Sequence, residues 1–255
     1  MDLYFELLGK PVFTVEDVIE LCHNVNTAKS AIQRLEAAGR IVRIRRGLYT
    51  AISGETKCPV ANRFQIASHI TPTSALSHHG AVDYYGCMNQ VFTYVYVCSE
   101  TRFKDFVFDG YRYCYVPTST LEGIECPPLS GGVHVTSKER TVIDSIKDMD
   151  KIAGPEEVIE NVRMFYGLDE AKMLKYLAIL DNKFLYQKTG YILSHFNDRQ
   201  QYSKKFLNDC FMMSGKSTRY LLKDEKDGVY DAKWRLIVPQ NLFHLKNGVI
   251  DYADI

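Results

Sequence analysis

The sequence predicts an α+β protein: three short helices and a hairpin at the N-terminus, then a mixed α/β domain with a helical C-terminal section. Three observations carry this reading. Apolar residues recur at helical spacing between Leu3 and Leu35, and a β-branched run with a glycine turn follows at 40–50. Strand-like alternation and helix-capping residues then intermingle from Thr73 onward, and from Gly154-Pro155 the pattern is mostly helical.

The elements follow in order. Leu3 to Leu8 is an apolar helical turn stopped by Gly9-Lys10-Pro11. Thr14 caps the next helix with Asp17 in the capping-box position, and Val15, Val18, Ile19 and Cys22 share a face. Asn26 or Thr27 is expected to cap a third helix in which Ala28, Ala31, Ile32 and Leu35 form the apolar stripe, with Gly39 just past its end. Arg40 to Ile44 reads as a strand, Arg45-Arg46-Gly47 as its turn and Leu48 to Thr50 as the return. Thr56 to Asn62 looks like a linker, so the expected division is 1–56 and 57–255.

In the second part, 57–150 is expected to be α/β, 151–222 mostly helical and 229–243 a closing β-like segment. Thr73 is expected to cap a helix through His79, and Val91 to Val97 alternates as a strand with both faces covered. Asp109-Gly110 between Phe106-Val107-Phe108 and Tyr111-Arg112-Tyr113 predicts a tight hairpin. Val133 to Val135 is a strand, and Thr136-Ser137-Lys138-Glu139 opens a helix running to Ile146. Further helices are expected near 155–165, 169–180, 184–195 and 199–211.

Composition sets the bounds. A chain of 255 residues that is 46% hydrophobic and 24% charged is not disordered. It contains no run of 18 apolar residues, so no membrane span is expected. Its start, Met1-Asp2-Leu3-Tyr4-Phe5-Glu6, lacks the basic region of a secretory signal. Seven scattered cysteines without a CxxC pair predict neither a structural metal nor a disulfide framework, and fit a reduced, cytoplasmic setting. No cofactor is expected.

The 31 basic and 31 acidic residues sum to zero, but unevenly. Residues 1–26 hold five acids against Lys10, a net of −4. Residues 27–50 hold Lys29, Arg34, Arg40, Arg43, Arg45 and Arg46 against Glu36, a net of +5. This is the one concentrated basic block, and it coincides with the third helix and the hairpin.

Three helices followed by a two-stranded hairpin match a winged helix-turn-helix, whose third helix enters the DNA major groove. Opposite the apolar stripe of that helix stand Thr27, Lys29, Ser30, Gln33 and Arg34. Lys29 and Arg34 suit phosphate or guanine, Gln33 suits adenine and Ser30 either. The hairpin would lay Arg43, Arg45 and Arg46 along the backbone or into the minor groove. The bland alternative is a solvated basic face on a winged helix that docks on another protein, as an adaptor.

Four segments resemble one family. Leu35-x3-Gly39-x-Ile41-x-Arg43-x2-Arg46-Gly47-Leu48-Tyr49 is similar to the end of the winged-helix domain in AbiEi-type antitoxins of abortive-infection systems. Thr73-Ser74-Ala75-Leu76-x2-His79-Gly80 resembles the first helix of that family's next domain, and Val135-x-Ser137-x-Glu139-Arg140-Thr141-x2-Asp144 its second signature. Leu185-Tyr186-Gln187-Lys188-x-Gly190-Tyr191-Ile192-Leu193 resembles a third, with Thr189 where the family usually has a bulky residue. The resemblance implies a bacterial transcriptional autoregulator that binds inverted repeats in its own promoter. It also implies the antitoxin role in a type IV toxin–antitoxin system (phage defence), countering a nucleotidyltransferase-like toxin without a stable complex. Such a protein would be a monomer in solution or a dimer on DNA. The remaining possibility is an orphan transcriptional regulator with no toxin partner.

Several patterns imitate catalytic motifs. His78-His79-Gly80-Ala81-Val82-Asp83 fits the HHxxxD of condensation-type acyltransferases, but Tyr84 stands where those enzymes have glycine. An enzyme using His79 and Asp83 is the rival from another class; a helix-end histidine in the core is the simpler reading. Ser214-Gly215-Lys216-Ser217-Thr218 imitates the end of a phosphate-binding loop, but Cys210 occupies the required glycine position and the segment is read as a helix N-cap. Arg140 and Asp144 read as a surface i,i+4 pair, and the nine Phe and Tyr of 92–115 as a buried sheet rather than a base-stacking surface. Lys223 to Asp227 is read as a solvated loop. No catalytic residue is predicted.

Overall fold

The structure is a computed structural model that describes residues 2–88, 92–196, 202–223, 227–240 and 242–243. It is a mixed α+β fold whose described residues divide into two compact units. One holds residues within 1–84 and 92–135, the other residues within 85–91 and 136–255.

The first unit opens with α1 (Leu3–Leu8), β1 (Phe13–Thr14), α2 (Val15–Cys22), α3 (Val25–Ala37), β2 (Ile41–Arg45) and β3 (Leu48–Ala51). Thr14 caps α2 as expected, its hydroxyl accepting the Asp17 N–H while Asp17 reaches back to the Thr14 N–H at 2.7 Å. The third helix starts earlier than the sequence suggests. Asn24, not Asn26 or Thr27, is its cap, and its Oδ1 accepts from the N–H groups of Asn26 and Thr27 at 2.9 and 3.0 Å. Only His23 and Asn24 separate α2 from α3, and His23 adopts the left-handed conformation that turns the chain so sharply. The far end of α3 closes as a Schellman motif. Arg40 N–H bonds Leu35 O, Gly39 N–H bonds Glu36 O, and Gly39 sits at φ +66°.

Leu7, Phe13, Val18, Ala28, Ile32, Ile41 and Tyr49 fuse these elements into one apolar core. A short strand missed in the sequence, β1, joins the hairpin by pairing with β3, giving the order β1-β3-β2. The expected linker is fastened down instead. Val60 N–H bonds Ala51 O, Ala61 N–H bonds Thr50 Oγ1, and Ile52 bridges to Pro59. A helix absent from the sequence reading, α4 (Arg63–Ser68), follows under an Asn62–Gln65 capping box.

The larger sheet has the order β6-β7-β5-β4-β9-β8, with β4 (Ala75–Leu76), β5 (Tyr94–Ser99), β6 (Phe106–Phe108), β7 (Tyr111–Pro117), β8 (Ile124–Glu125) and β9 (Val135–Thr136). The helix expected from Thr73 to His79 is not there. Ala75-Leu76 is a buried strand between β5 and Val135, and the helix, α5 (His78–Tyr84), starts after it. Gly80 explains the arrangement: a Cβ there would lie 2.8 Å from Tyr96 O, so the helix can rest on β5 only without a side chain. The Asp109-Gly110 hairpin forms as read, with φ of +49° and +79° and Phe108 opposite Tyr111. The strand expected from Val91 begins at Tyr94, and Val91 itself lies outside the described residues. Its two faces are not equally covered, since Tyr94 is exposed while Val95 and Val97 are buried.

The second unit is built on α6 (Lys138–Lys147), α7 (Pro155–Met164), α8 (Glu170–Leu180), α9 (Lys183–Ser194) and α10 (Lys204–Met213). A parallel pair, β10 (Arg219–Tyr220) with β12 (Leu236–Val238), and an antiparallel β11 (Val229–Asp231) close it. The helices expected near 155–165, 169–180 and 184–195 are present near those limits, whereas α10 begins at Lys204 under a Ser203 cap instead of near 199. Residues 199–201, 224–226 and 241 of the expected segments lie outside the described residues. Ser137, one residue beyond Thr136, caps α6. Ser214 is a C-cap rather than an N-cap: α10 ends there, and β10, not a helix, follows.

Trp234 is the central side chain of this unit. It is fully buried, edge-on to Phe211 at 5.9 Å, and its carbonyl accepts from Gln187 Nε2. It lies directly on Gly190 of α9, where a Cβ would fall 2.1 Å from the indole. Gly190→Ala is therefore expected to cost about 1–3 kcal/mol by overpacking, read as a lower denaturation midpoint. Gly215→Ala, whose Cβ would meet nothing closer than 3.8 Å, serves as the control. Equal midpoints for the two variants would contradict this packing.

Arg140 and Asp144 do not form a surface pair. Their side chains are 2% and 6% exposed, 3.3 Å apart, with Tyr176 of α8 donating its hydroxyl to Asp144 at 2.8 Å and its ring lying under the guanidinium. Glu139 is also buried and accepts the Asp169 N–H, holding the start of α8. Thus α6 carries a charged face inward, against α8.

Candidate nucleic-acid interface

α3 presents two opposite faces because its stripe recurs every three or four residues. Ala28, Ala31 and Ile32 are buried in the core, while Thr27, Lys29, Ser30, Gln33 and Arg34 are all exposed. The Thr27 hydroxyl donates to the capping Asn24 at 3.3 Å, and Arg34 Nε to Ser30 O at 3.4 Å along the helix. Lys29 and Gln33 make no hydrogen bond among the described residues. Because the helix begins at Val25, Val25 and Asn26 also stand exposed on its first turn. The sequence reading missed them; the Asx-type cap at Asn24 was the available signal.

The hairpin separates its three arginines. Arg43 and Arg46 are exposed, Arg46 in the turn beside Gly47 at φ +82°. A bulge between Arg43 and Arg45 breaks the strand's alternation, so that Ile41 and Ile44 are both buried. Arg45 is consequently half-buried, its guanidinium 5.8 Å from the ring centre of Phe103 and 5.5 Å from that of Phe106. Arg40 is occupied too, over the Tyr4 ring and 3.6 Å from Asp2. Of the six cations in 27–50, Lys29, Arg34, Arg43 and Arg46 therefore remain exposed without an acidic partner among the described residues. On the acidic side, Lys10 and Asp17 neutralise one another at 2.8 Å.

The His79 and Asp83 pair is not arranged as a catalytic couple. Both oxygens of Asp83 accept from Arg63, each at 2.9 Å, while His79 packs edge-on against Phe92 at 4.2 Å. His79 is buried, and among the described residues its Nε2 has no hydrogen-bond partner. Burial pushes its pKa below the ordinary histidine value, only partly opposed by the Asp83 charge. A group protonated more readily unfolded than folded makes stability fall as pH drops from about 6.5 toward the folded value. His79→Gln is expected to flatten that slope between pH 7 and 5 in denaturant titrations; an unchanged slope would contradict a neutral, buried His79.

What this geometry defines is an exposed, basic helix-and-hairpin face on a small apolar core. Residues 2–52, which carry it, match the family described as transcriptional regulator, AbiEi antitoxin. The match takes in Leu35 to Tyr49, the first of the four resembling segments. The other three resembling segments lie beyond the match. The chain is also similar in fold to the crystal structure of the RV2827C protein from Mycobacterium tuberculosis. The TM-score is 0.60 and the identity 12%, over 89% of this chain and 86% of that one. No curated protein matches the chain. Among the described residues no helix is long and apolar enough to cross a membrane.

Proposed function

We propose that residues 1–56 form a winged helix-turn-helix that binds operator DNA, with α3 in the major groove and the β2–β3 turn as the wing. One observation carries the reading: four cations without an acidic partner among the described residues stand exposed on α3 and the hairpin, within the segment that matches a transcriptional-regulator family. The element order supports it, since a helix–turn–helix closed by a hairpin is the arrangement that seats a helix in the groove. Lys29, Arg34, Arg43 and Arg46 contact phosphates or guanine, while Gln33 and Ser30 read base edges. Thr27 helps hold the start of the helix, and Arg45 braces the wing on Phe103 and Phe106 instead of reaching for DNA.

The protein acts as an autorepressor on inverted repeats in its own promoter and as the non-catalytic antitoxin of a type IV system. It counters a nucleotidyltransferase-like toxin without forming a stable complex with it. The antitoxin half is tested by co-expression with the product of an adjacent nucleotidyltransferase-like gene. Growth restored by both wild type and a Lys29→Ala/Arg43→Ala variant is the expected result, because neutralisation belongs to the remainder of the chain. Failure of the wild type to restore growth would leave a regulator without that role.

A further inference from the structure

The second unit contains a cavity of about 690 Å³ between the end of α6, the start of α7 and the start of α9. This lies within the roughly 300–1,000 Å³ of small-molecule sites. Its floor is apolar: Met149, Leu185 and Leu221 are buried, and Phe184 lies beside them. Five charged residues line the rest, Lys147, Asp148, Asp150, Lys188 and Lys223, and a sixth outside the lining, Lys151, reaches both acids. Asp148 is held by Lys147 at 3.3 Å and by Lys151 at 3.7 Å, and Lys151 also lies 3.8 Å from Asp150. Those two acids and two lysines cancel. Lys188 and Lys223 remain, neither within salt-bridge distance of an acid among the described residues.

Lys188 is the more telling of the two. Its ammonium donates to the carbonyls of Ile146 and Lys147, each at 3.3 Å, which uses two of its three N–H groups. The third has no acceptor among the described residues. Burial pushes its pKa below the ordinary lysine value; Asp148 and Asp150 oppose the change, while Lys223 adds to it. The two surplus lysines therefore repel one another, and a dianion between them would relieve that repulsion and complete the hydrogen bonding of Lys188.

We propose that this cavity binds a nucleoside monophosphate, its phosphate between Lys188 and Lys223 and its base on the apolar floor. Two surplus cations match the charge of about −1.5 to −2 of a phosphate monoester better than a single carboxylate. The cavity has room, and apolar wall, for more than a bare phosphate. This site is separate from the proposed DNA-binding residues and does not depend on them.

Calorimetric titration of the full chain with the four ribonucleoside 5′-monophosphates, adenosine and inorganic phosphate tests the assignment. At least one monophosphate is expected to bind one site, at least about tenfold tighter than adenosine or phosphate alone. Lys223→Ala, an exposed substitution, and Lys188→Met, which keeps the apolar stem, are each expected to weaken it by about tenfold, without changing binding to DNA. Absence of binding by every monophosphate would overturn the proposal. So would affinity unchanged in Lys223→Ala, or phosphate binding as tightly as any nucleotide.

Discussion

Replacing Lys29, Arg34, Arg43 and Arg46 together by alanine is expected to reduce affinity for operator DNA on the order of a hundredfold at physiological salt. All four side chains are exposed and lack acidic partners among the described residues, so their removal takes away charge without unpairing a buried group or opening the core. Stability should therefore change little, since surface substitutions of this kind usually stay within about 0.5 kcal/mol. The sharper signature is ionic. Each lost phosphate contact lowers the slope of log affinity against log salt by about 0.9, so the slope should flatten by about 3 to 4 if all four make such contacts. Arg45→Ala should behave differently, because its guanidinium lies over Phe103 and Phe106. Its effect is expected mainly in the denaturation midpoint, with the salt slope nearly unchanged. A salt slope that falls for Arg45→Ala but not for the fourfold variant would reverse the roles assigned here.

Asp144→Ala is expected to destabilise the second unit by about 3–5 kcal/mol, the cost of leaving a buried guanidinium without its carboxylate. The Arg140 and Asp144 side chains are almost fully enclosed, and Tyr176 donates its hydroxyl to the same carboxylate, so the substitution removes two interactions from a buried site. Against a typical domain stability of about 5–15 kcal/mol, such a loss is a large fraction. The double variant Arg140→Met/Asp144→Leu, which removes both charges and keeps the volume, should recover much of it. Chemical denaturation of the three proteins checks both claims. A single variant as stable as wild type would show the pair to be solvated.

Much of the fold was legible in the sequence where local chemistry decides the outcome. The Thr14–Asp17 box, Gly39 and Asp109-Gly110 behave as read, because a cap or a tight turn is fixed by a few adjacent residues. The helical section was legible as a pattern from Gly154-Pro155 onward, although its last helix starts at Lys204 instead of near 199. What failed depended on distant contacts. Ala75-Leu76 has helix-forming side chains, yet pairing with Cys98, Val97 and Val135 makes it a strand. Arg140 and Asp144 have the spacing of a solvent pair, and only the approach of Tyr176 from α8 buries them. The basic face was legible as a stretch of sequence but not in its detail. The bulge that directs Arg45 toward two phenylalanines, and the contact of Arg40 with Tyr4 and Asp2, arise from pairing and packing that no charge count contains.

The central claim is that the exposed face of α3 and the β2–β3 turn read operator DNA. Footprinting the region upstream of the protein's own coding sequence tests it most directly. The expected result is protection of an inverted repeat by the wild-type chain, abolished at the same protein concentration by the fourfold Lys29, Arg34, Arg43 and Arg46 replacement. No protected repeat, or equal protection by the variant, would contradict the account and favour a basic face that docks on another protein.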